Sequence, residues 1–131
     1  MYNSDITHYK LKYERIEIMK ISLKGYGENT ATFKTKNDVT PGEPVCMSGN
    51  YEVSSCNNGD LFAGAAVNSK DGYACVQLDG YCSFSYTGTA PSAGICNLVA
   101  DGNGGVCVDE SGRQYIVTDV DTVNSIVGII L

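Results

Sequence analysis

Hydrophobic and polar positions alternate with a period of two through much of the chain. In Tyr81-Cys82-Ser83-Phe84-Ser85-Tyr86, Cys82, Phe84 and Tyr86 share one side and Tyr81, Ser83 and Ser85 the other, as successive strand residues must. Short runs of Val, Ile, Tyr, Phe and Thr bounded by Gly, Asn and Asp predict strands at Met19–Leu23, Thr30–Thr35, Pro44–Ser48, Tyr51–Ser55, Leu61–Ser69 and Tyr73–Leu78. The same signal predicts Tyr81–Tyr86, Ile95–Ala100, Val106–Asp109, Gln114–Asp119 and Ser125–Leu131. Between them, Pro41-Gly42 suits a type II turn, Ser48-Gly49-Asn50 a tight reversal, and Asn58-Gly59 and Asp71-Gly72 type I′ hairpins. Asp79-Gly80 repeats the device, so Val67 to Tyr86 reads as a three-stranded meander. Such a chain must cover or remove its sheet edges, which predicts an all-β fold: a small β-barrel or β-sandwich of short antiparallel strands over residues 19–131.

Residues 1–18 form a separate N-terminal arm. Ile6, Tyr9, Tyr13 and Ile16 fit one face of a helix, whereas Tyr9, Leu11 and Tyr13 alternate as a strand would. Either pattern carries apolar groups that a solvated tail does not need, so the arm is expected to dock on its own body or on a neighbour. Met19 also opens the dense β pattern. Glu14-Arg15 can be encoded by the purine-rich GAG-AGG a few codons ahead of it, which leaves Met19 open as the native start, to be decided by N-terminal sequencing.

A length of 131 residues suits one domain with a core large enough to need no staples. Its longest apolar runs, Phe62 to Val67 and Ile126 to Leu131, fall far short of the roughly 20 residues of a bilayer span. No apolar leader with a small-residue cleavage site opens the chain, which argues against secretion by a signal peptide. The net charge of −6 is unevenly placed. Residues 1–36 hold seven cations against four acids, and residues 37–131 hold two cations against eleven acids. A basic arm ahead of an acidic body can steer association with an oppositely charged neighbour, and the acidic body argues against nucleic acid as a partner.

Catalytic and metal chemistry has little to work with. The six cysteines are spaced at 10, 19, 7, 14 and 11 residues, with no close pair, and His8 is the single histidine. Neither a structural zinc nor a histidine-activated nucleophile is indicated. Cys75, Cys82, Cys96 and Cys107 sit inside apolar β runs and are expected as buried free thiols, in preference to a disulfide framework. Asp119 and Asp121, or Asp109 and Glu110, are the only carboxylate pairs to weigh as acid and base, and they read first as strand-end and turn residues. Asp101-Gly-Asn-Gly-Gly105 resembles half a calcium loop but lacks the closing glutamate, and reads as a turn.

Val39-Thr-Pro-Gly-Glu-Pro-Val45, Gly59-Asp-Leu-Phe-Ala-Gly64, Asp71-Gly-Tyr-Ala-Cys-Val-Gln-Leu78 and Tyr86-Thr-Gly-Thr-Ala-Pro91, with Leu98 to Val106, Gly112 to Tyr115 and Val117 to Asp121, carry a resemblance. Over about residues 30–131 the chain resembles small β-rich proteins of phage and prophage structural modules, the head decoration or capsid cement proteins, similar in role to lambda-type decoration proteins. The resemblance implies a non-enzymatic virion protein, assembled in the bacterial cytoplasm without cofactor or metal. It implies binding to the outside of the major capsid protein lattice, with a homo-oligomer, a trimer foremost. It also implies that the N-terminal segment meets the capsid, through Tyr9, Leu11, Tyr13, Arg15, Ile16 and Ile18. The family does not require six cysteines. The alternative is a secreted or surface-displayed β-sandwich module binding carbohydrate or protein, with formed disulfides and an aromatic platform including Tyr81 and Tyr86. An enzyme would need acids such as Asp101, Asp119 and Asp121 to converge.

Overall fold

The computed structural model describes residues 21–131, and among them ten strands and no helix. They are β1 (Asn29–Lys34), β2 (Pro44–Gly49), β3 (Glu52–Ser55), β4 (Gly64–Lys70), β5 (Tyr73–Asp79), β6 (Tyr81–Ser85), β7 (Gly94–Ala100), β8 (Val106–Val108), β9 (Arg113–Asp121) and β10 (Ile126–Ile130). The first five close a barrel in the order β1-β3-β2-β4-β5, and the last five form a sheet in the order β6-β10-β9-β7-β8. The all-β expectation holds, and the chain combines a barrel with a second sheet. Pairing between these strands is antiparallel except where β1 meets β3 through Lys34 and Glu52, the parallel contact that closes the barrel, and an isolated parallel bridge joins Tyr86 to Val106.

Several turns follow from the local sequence. Glu43 N donates to Thr40 O at 3.1 Å with Gly42 at φ +91°, as a type II turn requires. Asp71 and Gly72, at φ +55° and +83°, join β4 to β5 as the type I′ hairpin expected. Asn58-Gly59 does not make a hairpin. Only Gly59 has positive φ there, and Asp60 N donates to Asn57 O inside a longer loop over residues 56–63.

The predicted three-stranded meander breaks at Asp79-Gly80. β5 pairs with β1 and β4, whereas β6 leaves the barrel and pairs with β10. β1 takes the edge of β5 where a third strand would pair, and the chain ahead of it packs on the corner, Tyr81 N donating to Tyr26 O at 2.9 Å while Leu131 N donates to Gly80 O at 2.9 Å. The buried Gln77 completes the corner, its Nε2 donating to the carbonyls of Asp79 and Tyr81 at 2.9 and 2.7 Å. Of the strand predicted at Met19–Leu23, residues 21–23 are not extended in a sheet, and residues 19–20 lie outside the described residues. The strand predicted from Leu61 begins at Gly64, because Phe62 leaves the sheet for the core.

Two apolar clusters hold the body. Val39, Val45, Val53, Ala66, Ala74 and Val76 fill the barrel. The larger cluster lies under the second sheet, where Cys82, Phe84, Tyr86, Leu98, Tyr115, Val117, Val127 and Ile129 meet Cys56, Phe62 and Ala65 from the barrel side. The loop over residues 56–63 is therefore the seam. Gly59 N donates to Ala100 O and Ala100 N to Asp60 O, both at 2.8 Å. Phe62 stacks on Tyr115 with centroids 5.1 Å apart and meets Phe84 edge-on at 5.3 Å.

One disulfide forms where free thiols were expected in preference to a disulfide framework. Cys46 on β2 and Cys56 at the start of the seam loop are joined as a disulfide, because the hairpin brings their Cα atoms to 5.5 Å. Cys75, Cys82, Cys96 and Cys107 are free, as expected, although only Cys82 is fully buried. Burial, reinforced by the charge of Glu28, pushes the Cys82 thiol up to about 12, which leaves it unreactive near neutrality. Thiol titration of the denatured, non-reduced chain is expected to count four thiols, and six after reduction. Six before reduction would contradict the bridge.

Candidate interaction face

Alternation along β6, β10, β9 and β7 turns one side of the sheet to the core and the other outward. Cys82, Phe84, Val127, Ile129, Tyr115 and Val117 point in. The outward side is largely polar, with Ser83, Ser85, Asn97, Gln114, Asp119 and Asp121. One row breaks this pattern. Register sets Tyr81 opposite Ile130, Ile130 opposite Ile116, and Ile116 opposite Ile95, so four apolar side chains cross four strands on the outer face. Ile95 is 65% and Ile116 51% exposed. Ile130 and Tyr81 are half-buried, and an apolar row of this kind is informative where a single exposed hydrophobe is not.

Beside the row, Tyr81 and Asp119 clasp each other across β10. Tyr81 Oη donates to Asp119 Oδ1 at 3.1 Å, and Thr118 Oγ1 donates to the same oxygen at 2.7 Å. The clasp passes directly over Gly128, where any Cβ would collide with both side chains. A bulge between Gly128 and Ile129 leaves Thr118 unpaired in the register. Partial burial, followed by the hydrogen bond and charge of Asp119, raises the Tyr81 hydroxyl above its ordinary value, so it remains a donor at neutral pH. A cavity of about 360 Å³ opens at this end of the row, lined by Ile21, Ser22, Leu23, Tyr81, Thr118 and Asp119.

The barrel carries a second apolar feature at the β2–β3 turn. Tyr51 is 79% exposed with φ +58°, a left-handed conformation that normally calls for glycine. Its carbonyl accepts from Lys34 N at 2.7 Å, which ties the turn to β1. The side chain borders a shallow hollow shared with Phe33 and Met47.

Three of the acids weighed as catalytic groups, Asp101, Asp109 and Asp121, are engaged within their own loops. Asp101 Oδ1 accepts from Asn103 N and Gly105 N at 2.7 and 3.0 Å, and Oδ2 accepts from Thr87. The loop that resembled half a calcium site is thus closed by its own amides. Asp109 accepts from Ser111 N and Oγ, which holds its carboxyl below the usual range. Asp121 is lowered by Asn124, whose side chain and backbone both donate to it, with Val123 N adding a further bond. Each of these carboxylates organises a local turn, the ordinary role of aspartate in such loops. A hollow of about 570 Å³ between the lobes is polar, and its acids are also engaged: Glu43 accepts from Thr40 N and Asp38 from Ser69.

The platform of Tyr81 and Tyr86 does not form. Tyr86 is 7% exposed in the core, and Tyr81 lies on the opposite side of β6. The expected contact residues Tyr9, Leu11, Tyr13, Arg15, Ile16 and Ile18 lie outside the described residues. Sequence reasoning missed the row of Ile95, Ile116 and Ile130. A signal existed: Tyr115-Ile116-Val117 and Ile129-Ile130-Leu131 are uninterrupted apolar triplets, which place hydrophobes on both faces of a strand. No protein-family model and no curated protein sequence matches the chain.

Proposed function

We propose that the chain is a virion structural protein, a decoration protein that binds the outer surface of a tailed-phage or prophage head and stabilises it. The observation that carries this reading is the β2–β3 tip. Tyr51 holds a left-handed conformation that costs about 1–2 kcal/mol for a residue with a Cβ, yet its ring stands in solvent beside Met47 and Phe33. Strain kept for an exposed aromatic points to a contact outside the chain. The resemblance over residues 30–131 supplies the partner, the major capsid protein lattice, and the arm residues Tyr9, Leu11, Tyr13, Arg15, Ile16 and Ile18 supply a second contact. Repetition over a lattice turns modest contacts of this kind into stable attachment.

The test is co-sedimentation with undecorated phage heads. The full-length chain is expected to pellet with heads, and Tyr51→Gly, which relaxes the turn and removes the ring, to pellet at least about tenfold less, a difference of roughly 1.4 kcal/mol per site. Equal pelleting of the two proteins would remove the tip from the interface. The Cys46–Cys56 bridge favours a second reading, a secreted or surface-displayed binding module, since disulfides persist in oxidising compartments. A chain that ignores heads and binds an immobilised glycan or cell-surface protein would establish that reading instead.

A further inference from the structure

The outer row of the second sheet ends where the described chain begins. Tyr26 O accepts from Tyr81 N, and Tyr26 N donates to Leu23 O at 2.8 Å, so residues 21–26 are tied to the first residue of the row. Ile21, Ser22 and Leu23 line the cavity over Tyr81, Thr118 and Asp119. Twenty residues precede this point, and they include Tyr9, Leu11, Tyr13, Ile16 and Ile18 together with Lys10, Lys12, Arg15 and Lys20. The face offers matching chemistry: the apolar row of Ile130, Ile116 and Ile95, bordered by Asp119, with Asp121 further along the same outer side of β9. From Tyr81 to Ile95 is three strand spacings, about 14 Å, which some five extended residues cover.

We propose that the outer face of the β6-β10-β9-β7 sheet is the docking site for this chain's own N-terminal segment, residues 1–20, with its apolar side chains on the isoleucine row and its cations beside Asp119. Tethering favours the chain's own segment over another copy's. A linker this short gives an effective concentration in the millimolar range, far above that of a second molecule in dilute solution. The inference rests on the decoration reading only for what draws the segment away: a segment that meets the capsid must first leave this face. In the free protein it shields the row and keeps the chain from self-associating.

Trypsin cleavage of the full-length protein without capsids tests this. Cleavage after Lys10, Lys12 and Arg15 is expected to be slow and independent of protein concentration. In Ile95→Thr/Ile116→Thr, which keeps the β-branched shape on two exposed positions, it is expected to be at least about tenfold faster, because cleavage follows the population of the open form. A zero-length carbodiimide cross-link between the segment's lysines and Asp119, within a monomer, is the second expected result. It decides the matter on the unaltered protein should the variant's body also become sensitive. Cleavage as fast as that of the free 1–20 peptide in both proteins overturns the proposal. Protection that grows with concentration overturns the assignment to the chain's own segment. Neither result depends on binding to heads, so failure here and failure of the decoration reading are separable.

Discussion

Phe62→Ala is expected to destabilise the chain by about 3–5 kcal/mol, the cost of deleting a large aromatic from a packed core. Phe62 is 3% exposed, yet it comes from a loop, so nothing in a neighbouring ladder can close over the space it leaves. Its ring is stacked on Tyr115 and edge-on to Phe84, and it joins the seam loop to the second sheet. Removing it opens a cavity where the barrel and sheet share their core. With a denaturant slope near 2 kcal/mol/M, the urea midpoint should fall by roughly 2 M. The adjacent Leu61 is 58% exposed and provides the control. Leu61→Ala should stay within about 0.5 kcal/mol of wild type, as surface substitutions do. A loss below about 1 kcal/mol for Phe62→Ala would show that the ring does not occupy the seam.

Gly80→Ala is expected to be comparably damaging for a different reason. Gly80 has φ +86°, which a residue with a Cβ adopts at a cost of about 1–2 kcal/mol. A Cβ there would also fall closer than 3.0 Å to backbone atoms of Tyr26, Gly27 and Glu28. Backbone cannot rotate aside as a side chain can, so a further overpacking cost of about 1–3 kcal/mol follows. Because this corner passes the chain from barrel to sheet and anchors residues 21–28, the variant should lose stability and also expose the seam. Equilibrium urea unfolding measures the first effect. Gly42→Ala is the comparison, since Gly42 shares the positive φ, at +91°, with no atom within 4 Å of its Cβ position. If both substitutions cost the same, the close approach at Gly80 carries no weight.

Strands were legible because their cause is local. β-branched and aromatic runs between turn residues mark β2, β3, β5 and β6 to within a residue or two, and Asp71-Gly72 fixes the β4–β5 register. What escaped was decided by partners distant in sequence. Asp79-Gly80 has the composition of a hairpin turn, and the positive φ of Gly80 is equally what a sharp corner needs. β1 on the remaining edge of β5, with residues 26–28 against Gly80, selects the corner. Phe62 belongs to an apolar run that reads as the start of a strand, and only the three-dimensional seam shows it turned into the core. The Cys46–Cys56 pairing depends on the hairpin that brings β2 beside β3, which spacing alone does not reveal.

The candidate site was less legible than the fold. Alternation assigns Tyr81 and Tyr86 to opposite sides of one strand, and this excludes the shared platform from sequence onward. The isoleucine row required the order β6-β10-β9-β7, in which no two neighbours except β9 and β10 are consecutive in the chain. Asp101, Asp109 and Asp121 looked like candidate chemistry because aspartate serves both reactive sites and turns. Their bonds to Asn103, Ser111 and Asn124 assign them to turns. Among the described residues, the strained Tyr51 tip on the barrel and the outer row on the sheet are two apolar features open to contact.

The most direct test of the account is saturation binding to undecorated heads, read as moles of chain pelleted per mole of major capsid protein. Decoration predicts a plateau at a fixed ratio set by the lattice, reached with the full-length chain and lowered in affinity by Tyr51→Gly. Pelleting that does not exceed a head-free control, or that rises without a plateau, would contradict it.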